Sequence, residues 1–195
     1  QRQMCIRDRI KGISRKINGG ITMQVTISAN GKNIKAEISE EQAKILGLIE
    51  EQRTGYERVE KRETYYVINT EDDSMINITE FNDQTDERCY NTGNYYSDKT
   101  IAENNARADR LHRQLRQWQG LNDKAITKKD WKGYDVIKYN IDYDYLTNRL
   151  LVRWTGRYRK LNVVYFTSEE KAEKAIKVFE DELIWYFTEY VQRLD

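Results

Sequence analysis

The chain has 195 residues, of which 33 are Lys or Arg, 32 are Asp or Glu and one is His, so its formal charge is +1. Charged residues make up 33% and proline is absent, yet 14 Tyr and 4 Trp supply apolar area that a disordered chain lacks. No apolar run approaches the roughly 18 residues of a membrane-spanning helix, and two cysteines make no disulfide framework. We therefore expect one folded domain or two small ones in a reducing cytoplasm, without a membrane span.

The first 22 residues are predicted to lie outside the native protein. Back-translation of residues 1–9 yields a transposon-adapter end of the kind used in sequencing libraries, which is typical of a translated metagenomic fragment. Asn18-Gly19-Gly20 can be encoded by a purine-rich ribosome-binding site, and Met23 follows at the usual short spacing. We expect 1–22 to be adapter and untranslated read-through, and their removal changes the formal charge from +1 to −4.

Residues 23–55 predict a β-hairpin followed by a helix. Asn30-Gly31 suits a type I′ turn, because both central residues of that turn must tolerate positive φ. The predicted cross-strand pairs are Met23 with Ile38, Gln24 with Glu37, Val25 with Ala36, Thr26 with Lys35 and Ile27 with Ile34. Ser39 then begins a helix as its N-cap, with Gln42 at the third helical position, and Gly55 closes the unit.

The remainder predicts one unit used twice, over 56–122 and 123–195, each a small antiparallel sheet followed by a long helix. The matching segments of the first copy are Tyr65-Tyr66-Val67-Ile68, Tyr95-Tyr96-Ser97 and Ala102-Glu103. Those of the second copy are Tyr139-Asn140-Ile141-Asp142, Tyr165-Phe166-Thr167 and Ala172-Glu173. The alternative is that two unrelated strand-to-helix junctions share their capping chemistry. Both interpretations predict an α+β fold.

The second copy allows a detailed register. Strict alternation predicts a strand over 137–145, and a turn at Thr147-Asn148 leads into its partner. The predicted pairs are Tyr145 with Leu150, Tyr143 with Val152 and Ile141 with Trp154, which bury one continuous face. A third strand is expected over 162–166.

The last helix is predicted to begin at a capping box of Thr167 with Glu170. Its apolar residues recur at steps of three and four and form one long stripe that docks on the sheet. Val178 and Trp185 lie on another side of the same helix. That position allows a plain core contact or an interface with a partner or a second copy of the chain.

Few residues support catalysis. His112 is the one histidine, and the sequence offers no glycine-rich phosphate loop, Cys/His metal spacing or nucleophile elbow. Asp142 and Asp144 could hold a divalent metal, but the register above places Asp142 opposite Arg153, so a cross-strand ion pair explains them without a metal. We therefore predict no catalytic residue, no metal and no cofactor in a protein that is not an enzyme.

Charge is distributed unevenly along the chain. Residues 64–87 hold seven acids and no base, whereas 149–160 hold five bases and no acid. The candidate acidic contacts for a protein partner are Glu71, Asp72, Asp73, Asp83, Asp86 and Glu87. The candidate contacts for nucleic acid or a nucleoprotein are Arg107, Arg110, Arg113 and Arg116 on one helix, and Arg153, Arg157 and Arg159 beside Trp154 and Tyr158. Alternatively, the two charged regions face each other within the fold or a dimer, or are ordinary solvated surface.

The chain resembles small phage and prophage proteins of gut Firmicutes through several short motifs. They are Gly55-Tyr56-Glu57-Arg58, Tyr65-Tyr66-Val67-Ile68, Gly93-Asn94-Tyr95-Tyr96-Ser97, Asn105-Ala106-Arg107-Ala108-Asp109, Arg113-Gln114-Leu115-Arg116-Gln117-Trp118-Gln119 and the tail over 181–190. This group includes type II-A anti-CRISPR proteins, which inhibit Cas9. The resemblance implies a stoichiometric, non-enzymatic inhibitor that binds Cas9 or its guide RNA complex in the bacterial cytoplasm and impairs binding or cleavage of target DNA. It assigns no binding residue by position.

Three mechanisms and two further functions stay open. Carboxylates of 71–87 could occupy the Arg/Lys clefts with which Cas9 holds DNA, the chain could clamp a mobile nuclease domain, or basic side chains of 107–116 could contact guide RNA or target DNA held by the nuclease. Three strands and a helix also resemble the AP2 type of DNA-binding domain, with 149–160 in the major groove, although burial of Trp154 argues against it. A phage assembly protein would instead use the aromatic last helix as the seam of a homodimer or larger oligomer.

Overall fold

The computed structural model describes residues 14–17, 20–29, 32–46, 53–133 and 135–194. It divides into two compact units, Gln1–Gln52 and Arg53–Asp195. The chain combines helices with small antiparallel sheets, so the predicted α+β class is confirmed. The predicted sheet–helix copies, 56–122 and 123–195, lie together in the second unit.

The first unit is a three-stranded antiparallel sheet with a short helix. Its strands, in the order β1-β2-β3, are β1 (Ser14–Ile17), β2 (Gly20–Ala29) and β3 (Lys32–Ser39), and α1 spans Glu40–Ile45. All five predicted pairs between β2 and β3 are confirmed, from Met23 with Ile38 to Ile27 with Ile34. β1 and the start of β2 lie within the segment assigned to read-through, and the predicted turn at Asn30-Gly31 lies outside the described residues.

α1 begins at the predicted capping box. The Ser39 hydroxyl accepts from the Gln42 N–H at 3.1 Å, and the Gln42 side-chain oxygen accepts from the Ser39 N–H at 3.0 Å. This reciprocal pair satisfies two backbone donors at the helix start. α1 packs on β2 and β3, and Val25 and Ala43 are buried, whereas Gln24 on the other face of β2 is exposed.

The second unit opens with the first sheet–helix copy. β4 (Thr64–Ile68) pairs antiparallel with β5 (Met75–Thr79), α2 spans Gln84–Asn91 and α3 spans Lys99–Asn122. Tyr96 forms a single antiparallel bridge with Tyr66 of β4, in which N–H and C=O bond at 2.9 and 2.8 Å. Asp98 caps α3 two residues after the bridge.

The second copy repeats this plan. α4 (Lys128–Lys132) precedes β6 (Lys138–Asp144), which pairs antiparallel with β7 (Arg149–Thr155), and α5 spans Glu169–Thr188. Phe166 forms a single antiparallel bridge with Tyr139 of β6, with bonds of 2.8 and 2.9 Å. The third strand expected over 162–166 is therefore wrong in extent, because the described chain forms only this bridge there. Ser168 caps α5 two residues after the bridge.

The two bridges correct the alignment of the copies. Tyr66 and Tyr139 occupy the same position, because each bonds the residue that lies two before the N-cap of a long helix. The predicted match of Tyr65 with Tyr139 is therefore wrong by one residue. Tyr65 corresponds to Lys138, and both side chains are fully buried.

The predicted register of the second hairpin is wrong by two residues. Tyr143 lies opposite Leu150, Ile141 opposite Val152 and Tyr139 opposite Trp154, with 145–148 as the turn. The longer turn is closed by Asp144, whose carboxylate accepts from the Leu146 N–H at 2.9 Å and the Thr147 hydroxyl at 2.8 Å. A shift of two keeps each side chain on its predicted face. Trp154, however, is 72% exposed instead of buried against Ile141.

α5 begins one residue later than predicted. Its N-cap is Ser168, whose hydroxyl accepts from a backbone N–H of the first turn, so Thr167 and Glu170 form no capping box. Thr167 instead donates to the Asp123 carboxylate through both its N–H and its hydroxyl. The partner that takes Thr167 away from the helix lies at the end of α3, too far along the chain for local spacing to reveal it.

α5 packs on α3 and covers one face of the second hairpin. Leu111 and Leu115 of α3, Leu183 of α5 and Phe166 form the buried core there. Trp185 is 9% exposed, so the core contact is confirmed for this residue and the alternative, a partner interface, is not needed to explain it. Val178 is 59% exposed.

Candidate functional site

The acidic run between residues 64 and 87 is largely engaged inside the fold. Glu80 is fully buried, and its carboxylate accepts from Nε and Nη2 of Arg58 at 3.2 Å. It also accepts from the Tyr95 hydroxyl at 2.8 Å and the Asn82 N–H at 2.7 Å. Burial and this carboxylate raise the pKa of Tyr95 above its usual range. A buried carboxylate with these donors is satisfied and faces no partner.

Asp86 is also an interior residue, 2% exposed. Its carboxylate accepts from the Tyr65 hydroxyl at 2.8 Å and from the N–H groups of Phe81 and Asp83 at 2.8 and 3.1 Å. Burial raises the pKa of Asp86, but these donors lower it by more, so the group stays ionised. Asp83 accepts in return from the Asp86 N–H, which completes the capping box of α2. Asp86 lies out of a partner's reach, and Asp83 is held as the N-cap.

The other four acidic candidates are Glu71, Asp72, Asp73 and Glu87. Asp73 pairs with Arg113 of α3, and Glu87 pairs with Arg58. Asp72 closes a turn by accepting from a backbone N–H two residues on, and Glu71 is exposed. Asp73 and Glu87 thus have ion-pair partners within the fold, which was the alternative to binding a partner protein.

The arginines of α3 differ in their surroundings. Arg107 donates from Nε and Nη2 to Glu182 at 2.9 and 3.1 Å, and its guanidinium lies 3.9 Å from the Trp185 ring centroid. This bidentate pair lowers the pKa of Glu182 and ties α3 to α5. Arg113 is paired as above. Arg110 and Arg116 are exposed, so they are the members of the set that present charge to a partner.

Residues 149–160 form what we name the basic aromatic surface, along β7 and the loop that follows. Trp154 and Tyr158 are 72% and 82% exposed, and Arg153, Arg157 and Arg159 are interleaved with them. The structure thus places the second predicted basic set beside two exposed rings, one of which, Trp154, was predicted to be buried.

Asp142 and Asp144, the carboxylates considered for a metal, have separate partners. Asp142 lies opposite Leu151, not Arg153 as predicted, and Arg153 Nε approaches its Oδ2 diagonally at 3.9 Å. Asp144 closes the hairpin turn. Among the residues that the structure describes, no group of three or more His, Cys, Asp or Glu side chains could hold a metal ion.

Two neighbouring cavities, together named the edge groove, share residues 160–164, and the first of them adjoins β6. The first, about 230 Å³, is lined by Ile141, by 160–164 and by apolar side chains of α3 and α5. The second, about 520 Å³, shares 160–164 and His112 with the first and carries Arg116 and Arg159 in its wall. Sequence patterning did not predict this groove, because it arises where the expected third strand leaves β6.

His112 lines both cavities of the edge groove. Its Nε2 lies 3.4 Å from the Tyr186 hydroxyl oxygen. Burial, followed by the nearby charge of Arg116, lowers the pKa of His112 below its usual 6.5. The imidazole is therefore neutral at pH 7 and adds a hydrogen-bonding group to the groove, not a charge.

Lys138 is a buried charge that the sequence pattern does not reveal. Its Nζ donates to the carbonyls of Val136 at 2.8 Å, Gly156 at 2.6 Å and Asp130, and it lies 4.8 Å from the Trp131 ring centroid. Three carbonyl acceptors compensate for the loss of water around the ammonium group. The side chain thus connects α4 and β6 to Gly156, at the start of the loop that follows β7 in the basic aromatic surface. Its one sequence signal is its place in the repeat, where the first copy has a buried tyrosine.

Comparisons with protein-family models, with curated proteins and with solved structures found no match. In the described part of the chain, no helix is long and apolar enough to span a membrane. The basic aromatic surface and the edge groove are therefore the candidate functional features of the described chain.

Proposed function

We propose that this chain is a non-enzymatic inhibitor of a CRISPR nuclease, as its resemblance to phage and prophage anti-CRISPR proteins implies. It acts on Cas9 or the Cas9–guide RNA complex in the cytoplasm of a bacterial host, and it uses the basic aromatic surface. The observation that carries this assignment is the exposure of Trp154 and Tyr158 among the five basic residues of 149–160. Arginines that neutralise phosphates beside exposed rings suit nucleic acid.

The basic surface has more support than the acidic one. A carboxylate mimic of DNA needs free carboxylates, but Asp86 is buried and Asp73 and Glu87 are paired within the fold. The exposed rings further favour unpaired bases, because stacking on an aromatic side chain requires an accessible base face. A nuclease complex offers such bases in guide RNA and in the displaced DNA strand.

The test is a cleavage and mobility-shift titration of labelled target DNA with guide-loaded Cas9 from several type II-A systems, using protein that starts at Met23. We expect the unmodified chain to block cleavage near a one-to-one ratio. Trp154→Ala with Tyr158→Ala should weaken inhibition by about tenfold or more, since each base stack contributes roughly 1–3 kcal/mol. Arg153→Ala with Arg157→Ala should weaken it and reduce its salt dependence, because fewer phosphates are neutralised.

Two control pairs sharpen the result. Lys174→Ala with Lys177→Ala removes the same charge from the exposed side of α5 and should leave inhibition unchanged. Glu71→Ala with Glu87→Ala tests the acidic mechanism without touching the buried Asp86. Loss of inhibition with the acidic pair but not with the aromatic pair would reject the assignment, and no inhibition of any Cas9 would reject the function.

A stand-alone DNA-binding protein of the sheet-reading type is the second candidate. The burial of Trp154 that argued against it does not occur, since this side chain is 72% exposed on the hairpin. A salt-sensitive shift of DNA by the chain without Cas9 would favour this candidate. The assembly-protein hypothesis is less supported, because Trp185, Tyr186 and Phe187 of α5 pack within the unit, and sedimentation would show whether the chain dimerises.

A further inference from the structure

The two copies differ at one hydrogen-bonded position beside the bridge. In the first copy Asn94, two residues before Tyr96, extends the ladder with its side chain. Its amide oxygen accepts from the Ile68 N–H at 2.7 Å, and its amide nitrogen donates to the Ile68 carbonyl at 2.9 Å. The side chain thereby takes the place of the next backbone pair of a third strand. The corresponding residue of the second copy is Val164, whose side chain can neither donate nor accept.

The edge of β6 is consequently open beyond Tyr139. Successive residues of an antiparallel strand point their N–H and C=O groups to alternate neighbours, so Ile141, like Tyr139, points away from β7. Within the ranges that the structure describes, no strand pairs with Ile141 on that side. Its carbonyl accepts a long bond of 3.3 Å from the Asn140 side chain.

An apolar cavity adjoins this open edge. The first cavity of the edge groove, about 230 Å³, is lined by Ile141, Val164 and Phe166, and by Leu115 of α3 and Leu183 of α5. An apolar cavity of about 150 Å³ already accepts a benzene molecule, so this one is large enough for a branched or aromatic side chain. An unpaired edge beside a pocket suits strand addition, in which backbone bonds give affinity and pockets select side chains.

The charges around the groove select the partner's composition. Lys160 and Asp142 line the first cavity, and Lys160, Arg116, Arg159 and Asp109 line the second, so three bases face two carboxylates over the groove as a whole. Asp142 is further offset by Arg153 at 3.9 Å. The wall is positive on balance, and His112 is neutral there, so acidic side chains are favoured.

We propose that the β6 edge binds an extended segment of a partner protein as an added strand. The segment carries acidic side chains that face the positive wall and an apolar side chain that enters the first cavity. The inference goes beyond the proposed function, because it depends on the backbone of β6 and not on the exposed rings of the basic aromatic surface.

The test uses the chain from Met23 and a fluorescein-labelled peptide of sequence Glu-Val-Glu-Leu-Glu-Val-Glu. We expect saturable anisotropy binding that weakens with salt, together with slower hydrogen exchange of the Ile141 amide. Two peptide controls separate the contributions: lysine in place of each glutamate, and N-methylation of alternate backbone amides. Each should weaken binding by about tenfold or more, since the first opposes the charge of the wall and the second removes ladder donors.

The decisive variant is Val164→Asn, which copies Asn94 and should close the edge with its own amide, so peptide binding falls by about tenfold or more. Because Val164 is half-buried, Arg116→Glu serves as a second variant at an exposed position and should weaken binding of the acidic peptide selectively. Trp154→Ala with Tyr158→Ala should leave peptide binding intact, whatever it does to nuclease inhibition. Absence of saturable binding, equal binding of the N-methylated peptide, or undiminished binding by folded Val164→Asn would overturn the proposal.

Discussion

Asn94→Val tests whether a side chain stands in for a strand in the first copy. The substitution installs the residue of the second copy and removes two hydrogen bonds, of 2.7 and 2.9 Å, to the backbone of Ile68. A hydrogen bond contributes about 1 kcal/mol net, and a buried group left without its partner costs about 1–3 kcal/mol. Ile68 is half-buried and water can reach part of the site, so we expect the free energy of unfolding to fall by about 2 kcal/mol.

Urea unfolding followed by circular dichroism measures this change. With a slope of about 1–3 kcal/mol per molar urea, the midpoint should fall by about 1 M. The Ile68 amide should also exchange with solvent at least about tenfold faster, since its opening no longer requires the loss of the Asn94 bonds. Asn77→Val is the matched control, because Asn77 is an exposed strand residue and its replacement should stay within about 0.5 kcal/mol.

Unfolding of Asn94→Val and Asn77→Val at the same urea concentration, with unchanged exchange of the Ile68 amide, would contradict this prediction. The Asn94 side chain would then not support the edge of β4. The contrast with Val164, and with it the argument for an open β6 edge, would lose its basis.

Three further predictions concern other parts of the second unit. Gly55→Ala should destabilise the chain by about 2–4 kcal/mol in thermal or urea unfolding, because Gly55 has φ +91° and an added Cβ would lie 2.8 Å from Ile101. Gly93→Ala, with φ +73° and no atom near the added Cβ, should cost only the backbone part, about 1 kcal/mol; equal losses would refute the clash. Lys138→Met should cost about 2 kcal/mol, because three carbonyls lose their donor, and a neutral or stabilising result would contradict the role given to the ammonium group. Burial raises the pKa of Glu57, but hydrogen bonds from neighbouring N–H and hydroxyl groups lower it from 4.5 to about 2. Stability from this carboxylate is present above pH 4.5 and is lost as pH falls through the folded pKa, so the melting temperatures of the wild type and Glu57→Gln should converge between pH 4.5 and about 2.

The sequence predicts correctly those parts of the fold that are determined by residues close together in the chain. The register of the first hairpin follows from alternation on both sides of one turn, and the Ser39–Gln42 box involves residues three apart. In each case the competing conformations differ within a few residues, so pattern and capping chemistry suffice.

The errors arise where a polar side chain finds a partner that pattern cannot see. The Asp144 carboxylate stabilises a longer turn than Thr147-Asn148, which moves the register by two and exposes Trp154. Asp123 takes Thr167 from the expected capping box. For the candidate site, the residue composition of 149–160 was enough to identify the basic aromatic residues.

Composition could not show that two members of the acidic run, Glu80 and Asp86, are buried. That requires Glu80 to face Arg58 and Asp86 to face Tyr65, contacts between residues about twenty apart in the chain. Charge runs along a sequence therefore predict a surface only when the helix and strand contacts leave their members exposed.

The basic aromatic surface and the unpaired edge of β6 belong to the second copy, although α3 of the first copy lines part of the edge groove. The first copy seals its interior with polar aromatic contacts, Tyr65 stacked on Tyr95 at 4.0 Å, and closes its strand edge with Asn94. The second copy buries Lys138 at the equivalent position, and one of its three carbonyl bonds, to Gly156, holds the loop that follows β7. It leaves the edge open at Val164. The two halves differ at these two positions, so exchanging Asn94 and Val164 should protect the Ile141 amide and weaken peptide binding at β6, while it exposes the Ile68 amide.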